Sequence, residues 1–119
     1  MLFFDTYALI EIIKGSNSYK RYVKEMPITI KLNLMELYYY LLRKEWEDKA
    51  EYYYSFYFPS CVPVSDDIIK MAMKYKLRFK DRKLSYVDCI GYIIAKKMDI
   101  KFLTGDNQFK DMENVEFVK

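Results

Sequence analysis

Apolar residues recur along this chain in two alternating rhythms. Residues 2–5, LFFD, form an apolar run closed by an acid, and residues 7–14 then carry apolar side chains at 8, 9, 12 and 13 before Gly15. A short continuous run predicts a buried strand, and the i, i+3, i+4 spacing after it predicts a helix with one face inward. Residues 17–25 are polar and read as helical, after which Pro27 opens the β-branched run PITI at 27–30. From Asn33 the segment LMELYYYLLRKE places apolar residues at 34, 37, 38, 41 and 42, a clear 3.6-residue period. A more polar helix with aromatic spacing follows at about 46–57, and then CVPV at 61–64, where Pro63 predicts an edge or short strand.

Ser65 is a helix cap for 66–77, with Asp66 and Asp67 in the first turn where the helix dipole favours them. Residues 78–84, RFKDRKL, predict a solvated loop. Ser85 opens YVDCIGYIIAKKM, with apolar or small residues at 87, 90, 91, 94, 95 and 98, and two strands, KFLTGD at 101–106 and VEFV at 115–118, complete the series. Strands alternating with helices predict an α/β fold in three layers, α/β/α, around a central parallel sheet, because a parallel neighbour is reached through a crossover helix. With 119 residues and 52% apolar content, one domain over 1–119 is expected.

In such sheets, sites gather at the carboxyl ends of the strands. Asp5 ends the first strand and Asp106 follows the strand at 101–104, so both are expected at that edge. Glu36 is expected in the first turn of the helix after PITI, and Asp88 in the first turn of the helix after Ser85. Asp88 joins the others only if its helix begins at the same edge. Each acid also has an ordinary reading. Asn33-x-x-Glu36 and Ser85-x-x-Asp88 have capping-box spacing, Asp5 suits a helix cap, and Asp106 suits a turn with Gly105. As a set, however, converging carboxylates raise one another's pKa unless a cation intervenes.

Composition narrows the chemistry. The chain has no His, which removes imidazole acid–base catalysis, Ser-His-Asp or Cys-His nucleophiles and His-bound zinc. Cys61 and Cys89 are too few for a thiolate metal site or a secreted disulfide framework, and read as buried thiols in a reducing interior. The three scattered glycines form neither a P-loop nor a dinucleotide fingerprint. Gly91 with Ala95 suits close helix packing. An all-oxygen donor set suits Mg²⁺ or Mn²⁺. The MLFF start lacks a basic flank and is broken by Asp5 and Glu11, so neither a signal peptide nor a membrane span is expected, and a cytoplasmic protein is. A net charge of +3 permits a polyanionic partner without requiring one.

Four segments, FFDTYALI (3–10), ITIKLNLMELYY (28–39), LSYVDCIGYIIAKK (84–97) and FLTGDNQF (102–109), together resemble the PIN domain family, and within it the VapC-type toxins of prokaryotic toxin–antitoxin pairs. The resemblance implies metal-dependent hydrolysis of single-stranded RNA, with Asp5, Glu36, Asp88 and Asp106 as acidic ligands. It puts a supporting hydroxyl at Thr104 and a second at Thr6. It also implies a homodimer and a cognate antitoxin lying across the aromatic helices or over the acids. The sequence departs from the pattern at Tyr7, where a small residue is usual, at Asn33, near a usual hydroxyl, and at Gln108, often an acid. Asp111 reads as a surface turn acid. Tyr and Phe on the two central helices suit burial or partner contact. Lys76, Arg78, Lys80, Arg82 and Lys83 precede the helix bearing Asp88 and are candidate phosphate contacts, or a solvated loop. Two rival readings are a non-catalytic PIN-like module that binds RNA or protein, and a phosphoacceptor receiver domain. The latter needs paired acids after the first strand, where Asp5 stands alone.

Overall fold

The apolar run at the N-terminus becomes β1 (Leu2–Phe4), an inner strand of a four-stranded parallel sheet of order β2-β1-β3-β4. Its companions are β2 (Pro27–Ile28), β3 (Phe102–Thr104) and β4 (Val115–Phe117). The computed structural model describes all 119 residues. The helices are α1 (Thr6–Lys14), α2 (Lys31–Arg43), α3 (Glu47–Tyr57), α4 (Asp66–Arg78) and α5 (Tyr86–Lys97). None is long and apolar enough to cross a membrane.

Both faces of the sheet are covered, which explains why β1 and β3 are buried at every position. Phe3 and Phe102 point into one core, shared with α4 and α5, while Leu2, Phe4 and Leu103 point into another, shared with α1, α2 and α3. The sheet is therefore the middle of three layers. Phe3 and Phe102 stack with centroids 5.4 Å apart, and Gly91 on α5 lies over them. A Cβ at Gly91 would stand 2.9 Å from the Phe3 ring, so the close helix packing expected at this glycine is that of α5 on the sheet.

Several boundaries differ from the sequence pattern. α2 begins at Lys31, with Ile30 at the cap position and no side-chain capping bond, two residues before the expected Asn33. β2 keeps only two residues, and CVPV is reduced to a single bridge between Cys61 and Thr29, since Pro63 has no N–H to extend a ladder. Within 17–25, a 3₁₀ turn spans Asn17–Tyr22, and the expected loop at 78–84 contains another at Lys80–Arg82, with Leu84 buried. Cys89 is buried but Cys61 only partly so, and both thiols are free.

The connection between α5 and β3 is short and the helix packs on the sheet, so α5 runs antiparallel to β3. Its N-terminus therefore returns to the edge where β1 and β3 end. That topology meets the condition on Asp88.

Candidate active site

Asp5 occupies the N-cap position of α1 yet makes no capping bond. Its carboxylate is 4% exposed, and Oδ2 accepts a hydrogen bond from the Thr104 hydroxyl at 2.7 Å. The same hydroxyl oxygen accepts from the Asp106 backbone N–H at 3.1 Å. Thr104 therefore joins the two acids that end β1 and β3. Asp106 in turn caps the 3₁₀ turn Asn107–Phe109, its Oδ1 accepting from Gln108 N–H at 2.9 Å.

The capping box expected at Asn33 does not form, because the helix has already begun. Glu36 consequently falls in the second turn of α2, where a first-turn position was expected. Asn33 is instead buried, 1% exposed, and its Nδ2 donates to Thr6 Oγ1 at 2.9 Å. Thr6 passes its single hydroxyl proton to Glu36 Oε1 at 2.6 Å. Because that proton is committed, Thr6 can only accept from Asn33, which fixes the amide's orientation. Asn33 Oδ1 is left as a buried acceptor with no donor in the chain.

At Asp88 the capping box is real, and it is compatible with a second role. Oδ2 accepts from Ser85 N–H at 2.9 Å while the Ser85 hydroxyl accepts from Asp88 N–H at 3.0 Å. That uses one carboxylate oxygen. Lys76 on α4, one of the basic residues that precede this helix in the sequence, is a fixed cation acting on this acid. Its ammonium donates to the Leu84 carbonyl, lies 5.0 Å from the Tyr86 ring centroid, and offsets a small part of the rise that burial gives the Asp88 carboxyl. Among the other basic candidates, Arg82 donates to the Gln108 carbonyl at 3.0 Å, while Arg78, Lys80 and Lys83 are exposed. Asp111 is exposed in the turn before β4.

The electrostatics tie the four positions together. Burial first, and then the charge of Asp88, pushes the Asp5 carboxyl up to about 7, with Glu36 adding to the rise. Only the Thr104 hydroxyl and the Thr6 N–H act against it. Burial also raises Glu36, with Asp88 contributing, and raises Asp88, with Asp106 contributing. No three of these acids close into a ready-made ligand cluster. Each instead has its own neutral donor: Thr104 for Asp5, Thr6 for Glu36, Ser85 for Asp88 and Gln108 for Asp106.

This arrangement fits a hard divalent cation. The donors are all oxygen, the most buried acid lacks a compensating charge, and the bonded chain Asn33–Thr6–Glu36 ends in the orphaned Asn33 Oδ1. Thr104→Val tests the joint. It removes the donor to Asp5 and the acceptor of Asp106 N–H, both within the protein, so a loss of about 1–3 kcal/mol is expected in urea unfolding. A change below about 0.5 kcal/mol would show that Thr104 does not hold the two strand ends.

Comparison with known proteins agrees with this fold. The family model described as PIN domain matches residues 2–115, and the chain belongs to the PIN domain family. Among solved structures, VapC20 of Mycobacterium tuberculosis, described as a sarcin–ricin loop cleaving toxin, superposes with a TM-score of 0.84. It is 20% identical, and the match covers 100% of each chain. A chain of a toxin–antitoxin complex from Klebsiella pneumoniae superposes with a TM-score of 0.76 at 18% identity, covering 98% of this chain and 96% of that one. At these identities the likeness concerns the fold. No curated protein matches the sequence.

Proposed function

We propose that this protein is a metal-dependent endoribonuclease acting on single-stranded RNA, and the toxin of a type II toxin–antitoxin pair. The observation that carries the reading is Asp5: a buried carboxylate held at a strand end among other acids, with no cation to offset it. A protein keeps such a group where a bound cation relieves it. Family membership and the toxins that share the fold support the same reading.

Asp5, Asp88 and Asp106 would hold Mg²⁺ or Mn²⁺, with Glu36 as a further ligand or as the group that orients water. Bound there, the cation would lower the pKa of a water and offset charge on the phosphate. The chain's own residues set the geometry. Thr104 locks Asp5 Oδ2 to the backbone of Asp106, so both acids move as one unit. Ser85 holds one oxygen of Asp88 and leaves the other free. Glu36, held by Thr6 and raised above its ordinary range by burial and by Asp88, is the acid we assign to orienting the attacking water or accepting its proton.

The antitoxin, in this reading, covers exposed rings such as Tyr52 and Phe56 on α3, with the toxin itself a homodimer. The deciding experiment is cleavage of end-labelled single-stranded RNA with Mg²⁺ or Mn²⁺, with chelator, and with Asp88→Asn. Cleavage that needs the cation and vanishes in the variant is the expected result. Cleavage by Asp88→Asn at the parent rate would overturn the assignment of the acids. Melting offers a second check. At about a hundredfold excess over its dissociation constant, the cation is expected to stabilise the fold by about 2.7 kcal/mol. An unchanged melting temperature would favour a non-catalytic binding module.

A further inference from the structure

Positive charge is concentrated in one part of the molecule. Residues 70–83, the end of α4 and the turn after it, hold seven Lys or Arg and a single acid, Asp81. That stretch alone carries six net positive charges against +3 for the whole chain, so the remainder is net acidic. None of the seven cations forms an ion pair; the four pairs in the structure involve the N-terminus, Lys14, Arg21 and Lys96.

The segment borders a groove of about 760 Å³ between α4, α5 and the 111–113 turn, lined by none of the four site acids. Its wall is an aromatic ladder. Phe79, 41% exposed, lies 4.6 Å from Tyr75, which lies 5.4 Å from the buried Tyr92, itself 6.1 Å from Phe109. Such a stack is rigid and presents its outermost ring to solvent. The Arg78 guanidinium carbon lies 5.6 Å from the Phe79 ring centroid, and Lys74 and Arg82 stand along the same wall. The groove also adjoins the acid site. Arg82 is bonded to the Gln108 carbonyl and Phe109 ends the ladder, two and three residues after Asp106. Along α5, Asp88 and Lys96 are about 12 Å apart, the reach of a couple of nucleotides.

We propose that this groove binds an unpaired stretch of the RNA substrate, with bases against Phe79 and Tyr75 and phosphates on Lys74, Arg78 and Arg82. Exposed rings take bases of any sequence while unpaired cations follow the backbone. Asp111 and the Glu113–Lys96 pair leave the wall net positive. An acidic peptide would use the cations but has no use for the ring. The proposal rests on the ribonuclease reading and adds to it where the strand runs after leaving the acids.

The test is fluorescence anisotropy of a labelled single-stranded RNA of about twelve nucleotides, with chelator present and Asp5→Asn as background. Adding Lys74→Ala and Arg78→Ala together is expected to weaken binding about tenfold and to reduce the slope of log affinity against log salt by about 1.4. Adding Phe79→Leu is expected to weaken binding about fivefold with the slope unchanged. Lys49→Ala, on the opposite layer, serves as the control and binds as its background does. Melting temperatures are measured alongside, and Lys74 and Arg78 are exposed, so the pair is expected to fold.

Unchanged affinity in the Lys74→Ala, Arg78→Ala pair overturns the proposal. So does a pair that weakens while Phe79→Leu does not and a poly-glutamate peptide displaces the RNA, which makes the groove a dock for an acidic protein. Because binding is read without cleavage, failure of the parent to cut RNA would overturn the ribonuclease reading and leave this pattern to be judged by itself.

Discussion

Replacing Asp5 by Asn is expected to yield a protein that melts at a higher temperature than its parent and no longer cuts RNA. Both outcomes come from one carboxylate. In the metal-free fold its pKa stands at about 7, against the ordinary 3.8 of an aspartate. Between those two values the native state binds a proton that the unfolded chain has lost, so stability falls as pH rises through that window. Above about 7 both states are ionised and the full penalty remains, on the order of 4 kcal/mol. Asn keeps an acceptor for the Thr104 hydroxyl and carries no charge.

Metal-free parent protein should therefore be less stable at pH 8 than at pH 5.5. Asp5→Asn should reduce that difference and gain stability chiefly at pH 8. Glu36 and Asp88 are also raised, so a weaker slope of the same sign should persist. Cleavage should fall by more than about a hundredfold, beyond the loss of an outer partner to a metal ligand. The readouts are thermal melts at both pH values and initial rates on labelled RNA. A variant less stable than its parent at pH 8 would sink the electrostatic account, and one that cleaves normally would sink the catalytic one.

Gly105→Ala carries the second large effect, and it is a packing effect. This glycine separates Thr104 from Asp106, and a Cβ there would collide with the Val118 carbonyl oxygen and with the Tyr7 ring. The backbone carbonyl is the neighbour that is held on both sides. Val118 N–H donates to the Thr104 carbonyl at 2.9 Å, and the Val118 carbonyl accepts from the Tyr19 hydroxyl at 2.7 Å. A loss of about 3 kcal/mol is expected, read as a fall of about 10 °C in melting temperature. Removing the ring as well, with Tyr7→Ala, should not restore the loss, because the backbone carbonyl still blocks the site. A melting temperature within about 2 °C of the parent would mean that the 104–106 turn can move, contrary to these contacts.

Much of the site was legible because its acids interrupt strong local patterns. Asp5 closes an apolar run and Asp106 follows one, so strand ends could be located without knowing the sheet order. Asp88 was readable as a cap, and the structure gives it that cap in full. Glu36 was expected at the carboxyl edge of the sheet because its helix follows PITI, but one turn too early in that helix. Helix α2 has no polar cap to mark its start, and Asn33, which looked like one, faces inward beside Leu34 and Leu37. A polar residue on the inner face of an otherwise apolar helix signals a buried hydrogen-bond chain, here Asn33 to Thr6 to Glu36. Lys76 was legible only as one of the basic residues before the helix bearing Asp88; its effect on that acid depends on how α4 folds back along α5. The short β2 and the lone Thr29–Cys61 bridge were overread, because β-branched residues mark strand preference without fixing how many partners the sheet supplies.

The strand order also bears on when the site exists during synthesis. Phe3 pairs with Phe102, and Asp5 meets Thr104 across 99 positions of chain. A nascent chain emerges N-terminus first. Until β3 has left the ribosome, the Asp5 carboxyl has no Thr104 to hold it, and Asp106 has not been made. A fragment ending before residue 102 therefore lacks both the strand and the acid that complete the edge. On the ribonuclease reading proposed above, the order of assembly delays the site: a chain that has emerged only as far as residue 101 carries the first of its acids without the last.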